Sequence, residues 1–163
     1  MDQEKSDRKA EIRSFIEARH NESWSLLETL TAEDAGVELY QDDDYQWTVQ
    51  NVVSHLADSE RGMLGQAQRA VEGKMTVPED FDLDRWNRGV ARKSASKTIP
   101  EFLEQIQAAH YASLEFLEGL EEHELDIEGR HASGNTLTIE EFLRQIAKHR
   151  YDHVQDVKRV LDT

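Results

Sequence analysis

The chain has 163 residues, no cysteine and a formal net charge of −15. Without thiols, the chain cannot form disulfide bonds, thiolate metal sites or a cysteine nucleophile. Its length predicts one domain covering residues 1–163, with enough chain to bury a sizeable core.

Charge and hydropathy indicate the location of the protein and the classes of partner that it can bind. No apolar run approaches about 18 residues, so no membrane span is expected. The polar, charged N-terminus argues against a secretory signal, which makes the cytoplasm the expected location. The strong negative charge opposes binding to nucleic-acid phosphates and to anionic membranes, so neither is expected as a partner.

The first helix is expected over residues 6–30, where apolar residues recur at steps of three and four. His20 stands among polar neighbours there and is interpreted as a surface residue. Residues 40–46 are polar and are interpreted as a loop containing Asp42, Asp43 and Asp44. This acidic run lacks the spacing and the closing Glu of a calcium loop, which favours a solvated loop instead.

Thr48 is expected to cap the second helix, and Gly73 to end it. His55 lies on the flank of the apolar stripe of this helix, in line with Ser59 and Gly62. These small residues leave room for a cavity beside His55. A half-exposed histidine is the alternative, and periodicity slightly favours it.

Residues 73–97 form a connection of roughly 25 residues, longer than the 12–15 that compact domains usually allow. The connection contains Phe81, Leu83 and Trp86, whose apolar side chains need a surface to pack on. We therefore expect this loop to cover part of the protein, with a short helix allowed over residues 83–92.

Two Thr-x-x-Glu capping boxes, at Thr98 and Thr138, mark the starts of the third and fourth helices. The third helix carries His110 on its apolar stripe, and the polar residues 127–135 after it are interpreted as a loop. No segment shows the alternation of a strand, so an all-α chain with almost no β structure is expected.

The fourth helix, expected over residues 138–162, carries two histidines on its apolar stripe. His149 and His153 lie one turn apart, a spacing that can bind one metal ion from a single helix face. Two core histidines satisfied by hydrogen bonds are the alternative explanation of this pattern.

Four amphipathic helices of about 22–25 residues predict a four-helix bundle with a long crossover between the second and third helices. The connection can retrace the roughly 36 Å of one helix, which would make the second and fourth helices antiparallel. His55 and His153 would then lie at the same level and could meet His149. His110 also lies near the level of His149 and stays open as a fourth ligand or a neighbouring partner.

Three segments carry a family resemblance. The segment from Trp47 to Asp58, WTVQNVVSHLAD, resembles the Trp-[Ser/Thr]-Val-x-x-Val-x-x-His-Leu segment of the DinB-like superfamily, which includes bacillithiol transferases and mycothiol-dependent isomerases. The sequence KHRYDH, which contains both histidines of the fourth helix, resembles the last-helix pair of that superfamily, and FDLDR at 81–85 resembles the middle loop of some members. The resemblance implies a divalent metal ion held by His55, His149 and His153.

Three neutral imidazoles suit zinc or nickel, and also iron. Three protein ligands leave a coordination position open, as in catalytic sites, where bound water or a thiol becomes more acidic. We therefore expect a metal-dependent thiol S-transferase that uses a low-molecular-weight thiol and a small-molecule substrate. A metal-dependent hydrolase and a non-enzymatic, metal-stabilised binding or dimerisation module are the alternatives.

Three further residues are candidates for orienting a ligand histidine: Ser59, Asp58 and Asp152. For the two aspartates, an ordinary surface position is the more common explanation.

Overall fold

The computed structural model describes residues 2–42 and 45–162. Asp43 and Asp44, which belong to the acidic run interpreted as a solvated loop, lie outside the described residues. Among the described residues, no helix combines the length and the apolarity that a membrane span requires.

The predicted four-helix architecture is confirmed. The long helices are α1 (Asp2–Leu27), α3 (Val49–Val71), α5 (Ile99–Gly119) and α6 (Ile139–Leu161). Two shorter helices are α2 (Ala32–Ala35) and α4 (Leu83–Arg92), the latter within the long connection. The short strands are β1 (Glu38–Asp42), β2 (Tyr45–Thr48), β3 (Glu128–Arg130) and β4 (Thr136–Thr138), and 3-10 turns cover Ser94–Ser96 and Glu122–Asp126.

Local capping explains where three of the long helices begin. Thr48, Thr98 and Thr138 each accept a hydrogen bond from the backbone three residues later, and that residue returns a bond to the cap. Gly73, just past α3, has φ +73, a left-handed conformation that glycine adopts without strain. The first helix lies earlier than expected, beginning at Asp2 and ending at Leu27.

The helices have the crossover topology. α3 and α6 are antiparallel, because His55 on α3 meets His153 on α6, whereas Glu60, further along α3, meets Arg150, earlier on α6. α3 and α5 are parallel, since their N-terminal halves share one apolar cluster and their C-terminal halves share the other. The long connection between them therefore retraces the length of the bundle, as its size predicted.

A layer of polar residues separates the two apolar clusters. Each long helix contributes one buried member of this layer: His20 from α1, Glu60 from α3, His110 from α5 and Arg150 from α6. The prediction that His20 lies on the surface is wrong, because its side chain is only 5% exposed. Polar neighbours in sequence could not reveal this, since its partners come from other helices.

Two segments interpreted as loops form hairpins instead. β1 pairs with β2, and β3 pairs with β4, both antiparallel. Each hairpin leads directly into a helix, since Val49 and Ile139 donate their backbone N–H to the carbonyls of Val37 and Ile127 at 2.8 and 2.9 Å. Backbone pairing stabilises these strands, and their polar sequences show little apolar alternation for a pattern search to detect.

Gly129 allows β3 to lie directly against α3. A Cβ atom at this position would lie 2.9 Å from the Cβ of Ala70 and 3.2 Å from the methyl group of Thr76. Only glycine fits this close approach without a shift of the strand.

Candidate metal centre

The structure brings His55, His149 and His153 together at one end of the bundle. The Nε2 atom of His149 lies 3.2 Å from Nε2 of His55 and 3.1 Å from Nε2 of His153. One nitrogen from each ring lies within 4.8 Å of the other two. The antiparallel arrangement of α3 and α6 produces this convergence, as the topology argument anticipated.

The three imidazoles are neutral at pH 7. Burial, and then the charge of neighbouring histidines, lowers the pKa of His55 to about 4 and that of His149 to about 2. The pKa of His153 is also lowered by burial, although Asp156 and Asp152 act in the opposite direction. A neutral imidazole keeps a lone pair on one nitrogen, which is the form that binds metal ions.

The cluster fits a divalent ion by distance and by donor type. Metal–nitrogen bonds of about 2.0–2.1 Å at tetrahedral angles place ligand nitrogens roughly 3.3–3.4 Å apart. The Nε2 separations of 3.1 and 3.2 Å are close to this value.

The β1–β2 hairpin supports two of the histidines from outside. Tyr40 and Trp47 are cross-strand partners in this hairpin. The Tyr40 hydroxyl contacts Nδ1 of His153 at 3.1 Å, and the Trp47 ring meets the His55 ring edge-on with centroids 6.0 Å apart. The buried Nδ1 atoms of His55 and His149 have no hydrogen-bond partner among the described residues.

A cleft of about 930 Å³ opens beside the cluster. Residues of α3, the long connection and the β3–β4 turn line it, including Ser59, Gly62, Phe81, Asn87 and His131. This volume lies toward the upper end of the range typical for small-molecule sites. The expected cavity on the His55 flank is present.

Helix α4 covers part of the cleft. Trp86 donates its indole N–H to Asp58 on α3 at 2.8 Å and contacts the Phe81 ring, with centroids 5.9 Å apart. At the base of α4, Asn51 donates to the Ala91 carbonyl at 3.3 Å and to the Ser94 hydroxyl at 2.7 Å. The apolar residues of the connection thus pack over the cleft.

The three residues expected to orient a ligand histidine have other partners. Asp58 binds Trp86, Asp152 pairs with Lys148 at 2.6 Å on the exposed face of α6, and Ser59 contacts the Leu56 carbonyl at 3.4 Å. The structure instead places Tyr40 and Asp156 next to a histidine of the cluster. The sequence carries no signal for Tyr40, because it lies in a polar segment at least 15 residues from each of the three histidines.

His110 belongs to the polar layer, not to the cluster. Its ring stacks on His20 with centroids 3.6 Å apart, and Arg150 contacts Nδ1 of His20 at 2.6 Å. Arg150 also donates to Glu60, completing the layer. The idea that His110 is a fourth ligand is not supported, since it is absent from the group of converging nitrogens.

Fold and site together define a crossover four-helix bundle with a partly buried three-histidine cluster beside a cleft. The chain belongs to the DinB superfamily, whose family model matches residues 14–157. The resemblance in three sequence segments is thereby confirmed. A comparison with curated protein sequences gives no match.

Solved structures of low sequence identity share the fold. An uncharacterised protein from Escherichia coli UTI89 has a TM-score of 0.76 at 11% identity, covering 94% of this chain and 92% of its own. YfiT from Bacillus subtilis, described as a probable metal-dependent hydrolase with an unusual four-helix bundle topology, has a TM-score of 0.73 at 19% identity, covering 94% and 86%.

The colibactin self-resistance protein ClbS, in complex with a double-stranded DNA, has a TM-score of 0.75 at 16% identity, covering 95% of this chain and 96% of its own. This complex corrects the exclusion of nucleic acid, because a protein of the same fold was crystallised with DNA. Net charge sums over the whole surface, whereas phosphate contacts depend on where lysine and arginine lie locally.

Proposed function

We propose that the protein is a divalent-metal-dependent enzyme whose ion is held by Nε2 of His55, His149 and His153. The observation that carries this proposal is the convergence of three neutral imidazole nitrogens beside a cleft of about 930 Å³. Structural metal sites are usually closed by four protein ligands, whereas catalytic sites keep a position for water or substrate. Among the described residues, no fourth histidine or carboxylate joins the group.

The donor set favours zinc or nickel, with iron as a further candidate. A divalent ion in this position would lower the pKa of a water molecule or thiol bound at its open position. The chain contributes the neutral imidazoles and, through Trp86 and Phe81, a partial cover of the cleft. Asn87 and His131 add polar groups to the cleft that can orient a substrate.

Transfer of a small thiol to an electrophilic substrate is the reaction that these residues support best. Activation of water benefits from a free carboxylate as general base. Asp58, which lines the cleft, is engaged by Trp86 and Arg61, and Asp156, outside the cleft lining, is engaged by Tyr40 and Arg159. Asp84 also lines the cleft, from the exposed first turn of α4. A thiol needs less assistance, because its ordinary pKa of about 8.5 is far below that of water.

Hydrolysis is the second candidate. Its support is the description of YfiT, which shares the fold, as a probable metal-dependent hydrolase. His131, a cleft residue with a pKa lowered by burial, is a neutral imidazole that could take a proton from water. A non-enzymatic module stabilised by metal is the third candidate function.

Cobalt substitution tests the proposal directly. Bacillithiol, mycothiol, glutathione and cysteine are titrated into the cobalt form, and one of them is expected to add a thiolate charge-transfer band in the near ultraviolet. The His149→Ala, His153→Ala double variant serves as the control and should show no band. Absence of a band with every thiol would overturn the transferase assignment.

Two further assays separate the alternatives. Hydrolysis of activated esters by the zinc form, lost in the same double variant, would favour the hydrolase. Metal uptake without any spectral response of the cobalt form to thiols, azide or imidazole would indicate a closed site and a non-enzymatic role.

A further inference from the structure

We propose that Tyr40 and Asp156 are positioning residues that hold His153 in the tautomer with its proton on Nδ1 and its lone pair on Nε2, facing the cluster. This inference rests on the proposed metal site. Neither residue would touch the ion, and both would act through His153.

The contacts form a chain from the bundle surface to the cluster. Tyr40 Oη lies 3.1 Å from Nδ1 of His153, and its hydroxyl donates to Oδ2 of Asp156. The other carboxylate oxygen of Asp156 accepts from Nη2 of Arg159 at 2.7 Å. At the far end, Nε2 of His153 lies 3.1 Å from Nε2 of His149.

Counting protons fixes the direction of each bond. A phenol has one proton to donate, and an ionised carboxylate can only accept. The Asp156 carboxylate pairs with Arg159 and accepts hydrogen bonds, so the Tyr40 proton points toward Asp156. Tyr40 can then only accept from His153, which requires the proton to be on Nδ1.

The contact at Nδ1 is specific to His153. The Nδ1 atoms of His55 and His149 are buried and have no hydrogen-bond partner among the described residues. A histidine that binds metal through one nitrogen usually donates from the other to a fixed acceptor, which holds the tautomer and the ring orientation. Of the three rings, His153 is therefore the one whose Nδ1 has a described hydrogen-bond partner.

The β1–β2 hairpin carries the key side chain. Tyr40 is 113 residues from His153 in sequence, and the antiparallel pairing of β1 with β2 presents it to α6. Its cross-strand partner Trp47 packs on His55. One hairpin therefore contacts the cluster on both helices that supply the histidines.

Two variants with matched controls test whether Tyr40 and Asp156 set the tautomer of His153. Tyr40→Phe removes the acceptor of His153, and the control Tyr111→Phe removes the hydroxyl of a tyrosine that is 60% exposed on α5. Asp156→Asn removes one negative charge that acts on His153. The control Asp152→Asn does the same, because both aspartates act electrostatically on His153 but only Asp156 contacts Tyr40.

Asp156→Asn should reverse the direction of both hydrogen bonds of the Tyr40 hydroxyl. Arg159 would hold the amide oxygen, so the amide NH₂ would face Tyr40 and donate to it. The Tyr40 hydroxyl would then donate to Nδ1 of His153 and move the imidazole proton to Nε2, facing the cluster.

Long-range ¹H–¹⁵N spectra of the metal-free protein at fixed neutral pH read the tautomer, with His153 assigned by its absence in His153→Ala. We expect the Nδ1–H form in the parent protein and in both controls, a mixture in Tyr40→Phe and the Nε2–H form in Asp156→Asn. An Nε2–H form in the parent, or an unchanged tautomer in Asp156→Asn, would overturn the proposal. A merely structural role would alter stability without moving the proton.

Zinc affinity, measured by competition with a chromophoric chelator, supplies the second readout. Loss of such an outer partner typically weakens metal binding about 10–100-fold, and we expect this in Tyr40→Phe and Asp156→Asn. Equal affinity in these variants and their controls would also overturn the proposal. Failure of the parent to bind zinc would refute the proposed function, while the tautomer measurement would still test the role of Tyr40 and Asp156.

Discussion

Arg150 of α6 donates to Glu60 of α3 in the middle of the bundle, where their side chains are 1% and 0% exposed. The remaining donors of Arg150 include one that contacts His20, whereas the second oxygen of Glu60 has no partner among the described residues. A buried pair of this kind adds little net stability over apolar residues, but its partial removal leaves an uncompensated charge.

Replacing Glu60 with alanine should lower the free energy of unfolding by about 3–5 kcal/mol, because Arg150 stays buried without its counter-charge. Urea unfolding at pH 8.5, above the pKa of about 7 that burial gives Glu60, measures the change. Asp152→Ala, which breaks an exposed pair with Lys148, is the control and should cost only about 0.3–0.5 kcal/mol. The double change Glu60→Leu, Arg150→Met should be less damaging than Glu60→Ala alone, and a larger loss would contradict this account.

Acid should destabilise the metal-free protein. Burial lowers the pKa of His20 to about 3, of His55 and His110 to about 4, and of His149 to about 2, from 6.5. Below pH 6.5 the unfolded chain therefore binds more protons than the folded protein, and stability falls by about 1.4 kcal/mol per pH unit for each histidine. Glu60 acts in the opposite sense, since burial raises its pKa from 4.5 to about 7.

Urea unfolding at pH 7.5, 6.5 and 5.5 after chelation tests the sign of this dependence. Stability should rise with pH, because the effect of four buried histidines outweighs that of one buried glutamate. His110→Phe should make the slope shallower, because it removes one of these histidines. Constant or rising stability below pH 6.5 would show that the buried imidazoles are not kept neutral.

Added Zn²⁺ or Ni²⁺ should raise the melting temperature of the chelator-treated protein. An ion that binds only the folded state stabilises it by about 2.7 kcal/mol at a free concentration 100 times its Kd. Differential scanning fluorimetry checks the shift, which should vanish in His149→Ala, His153→Ala and persist in His123→Ala. An unchanged melting temperature in the parent would count against the site.

The cover of the cleft should loosen when Asp58 no longer accepts from Trp86. Asp58→Ala removes a hydrogen bond worth about 0.5–1.5 kcal/mol, so amides of α4 should exchange with deuterium roughly 2–10 times faster. Asp84→Ala, at an exposed acid in the first turn of the same helix, serves as the control. Equal exchange in the two variants would mean that other contacts hold α4.

Much of this architecture could be predicted from local signals. Capping boxes at Thr98 and Thr138 mark real helix starts, and the length of the connection 73–97 predicts the crossover. The crossover in turn predicts the common level of His55 and His153, because helical rise converts sequence position into height. These features depend on residues near one another in sequence, or on chain length.

Only the tertiary structure decided which polar residues are buried and which groups meet. His20 and Glu60 carry no sign of burial in their own helices, and their partner Arg150 lies at least 90 residues away from each. Tyr40 reaches His153 only because a short polar hairpin, held by backbone hydrogen bonds, places it there. Periodicity determines which face of a helix is apolar, but a polar side chain is buried only where another element supplies its partner, and that pairing depends on the assembled fold.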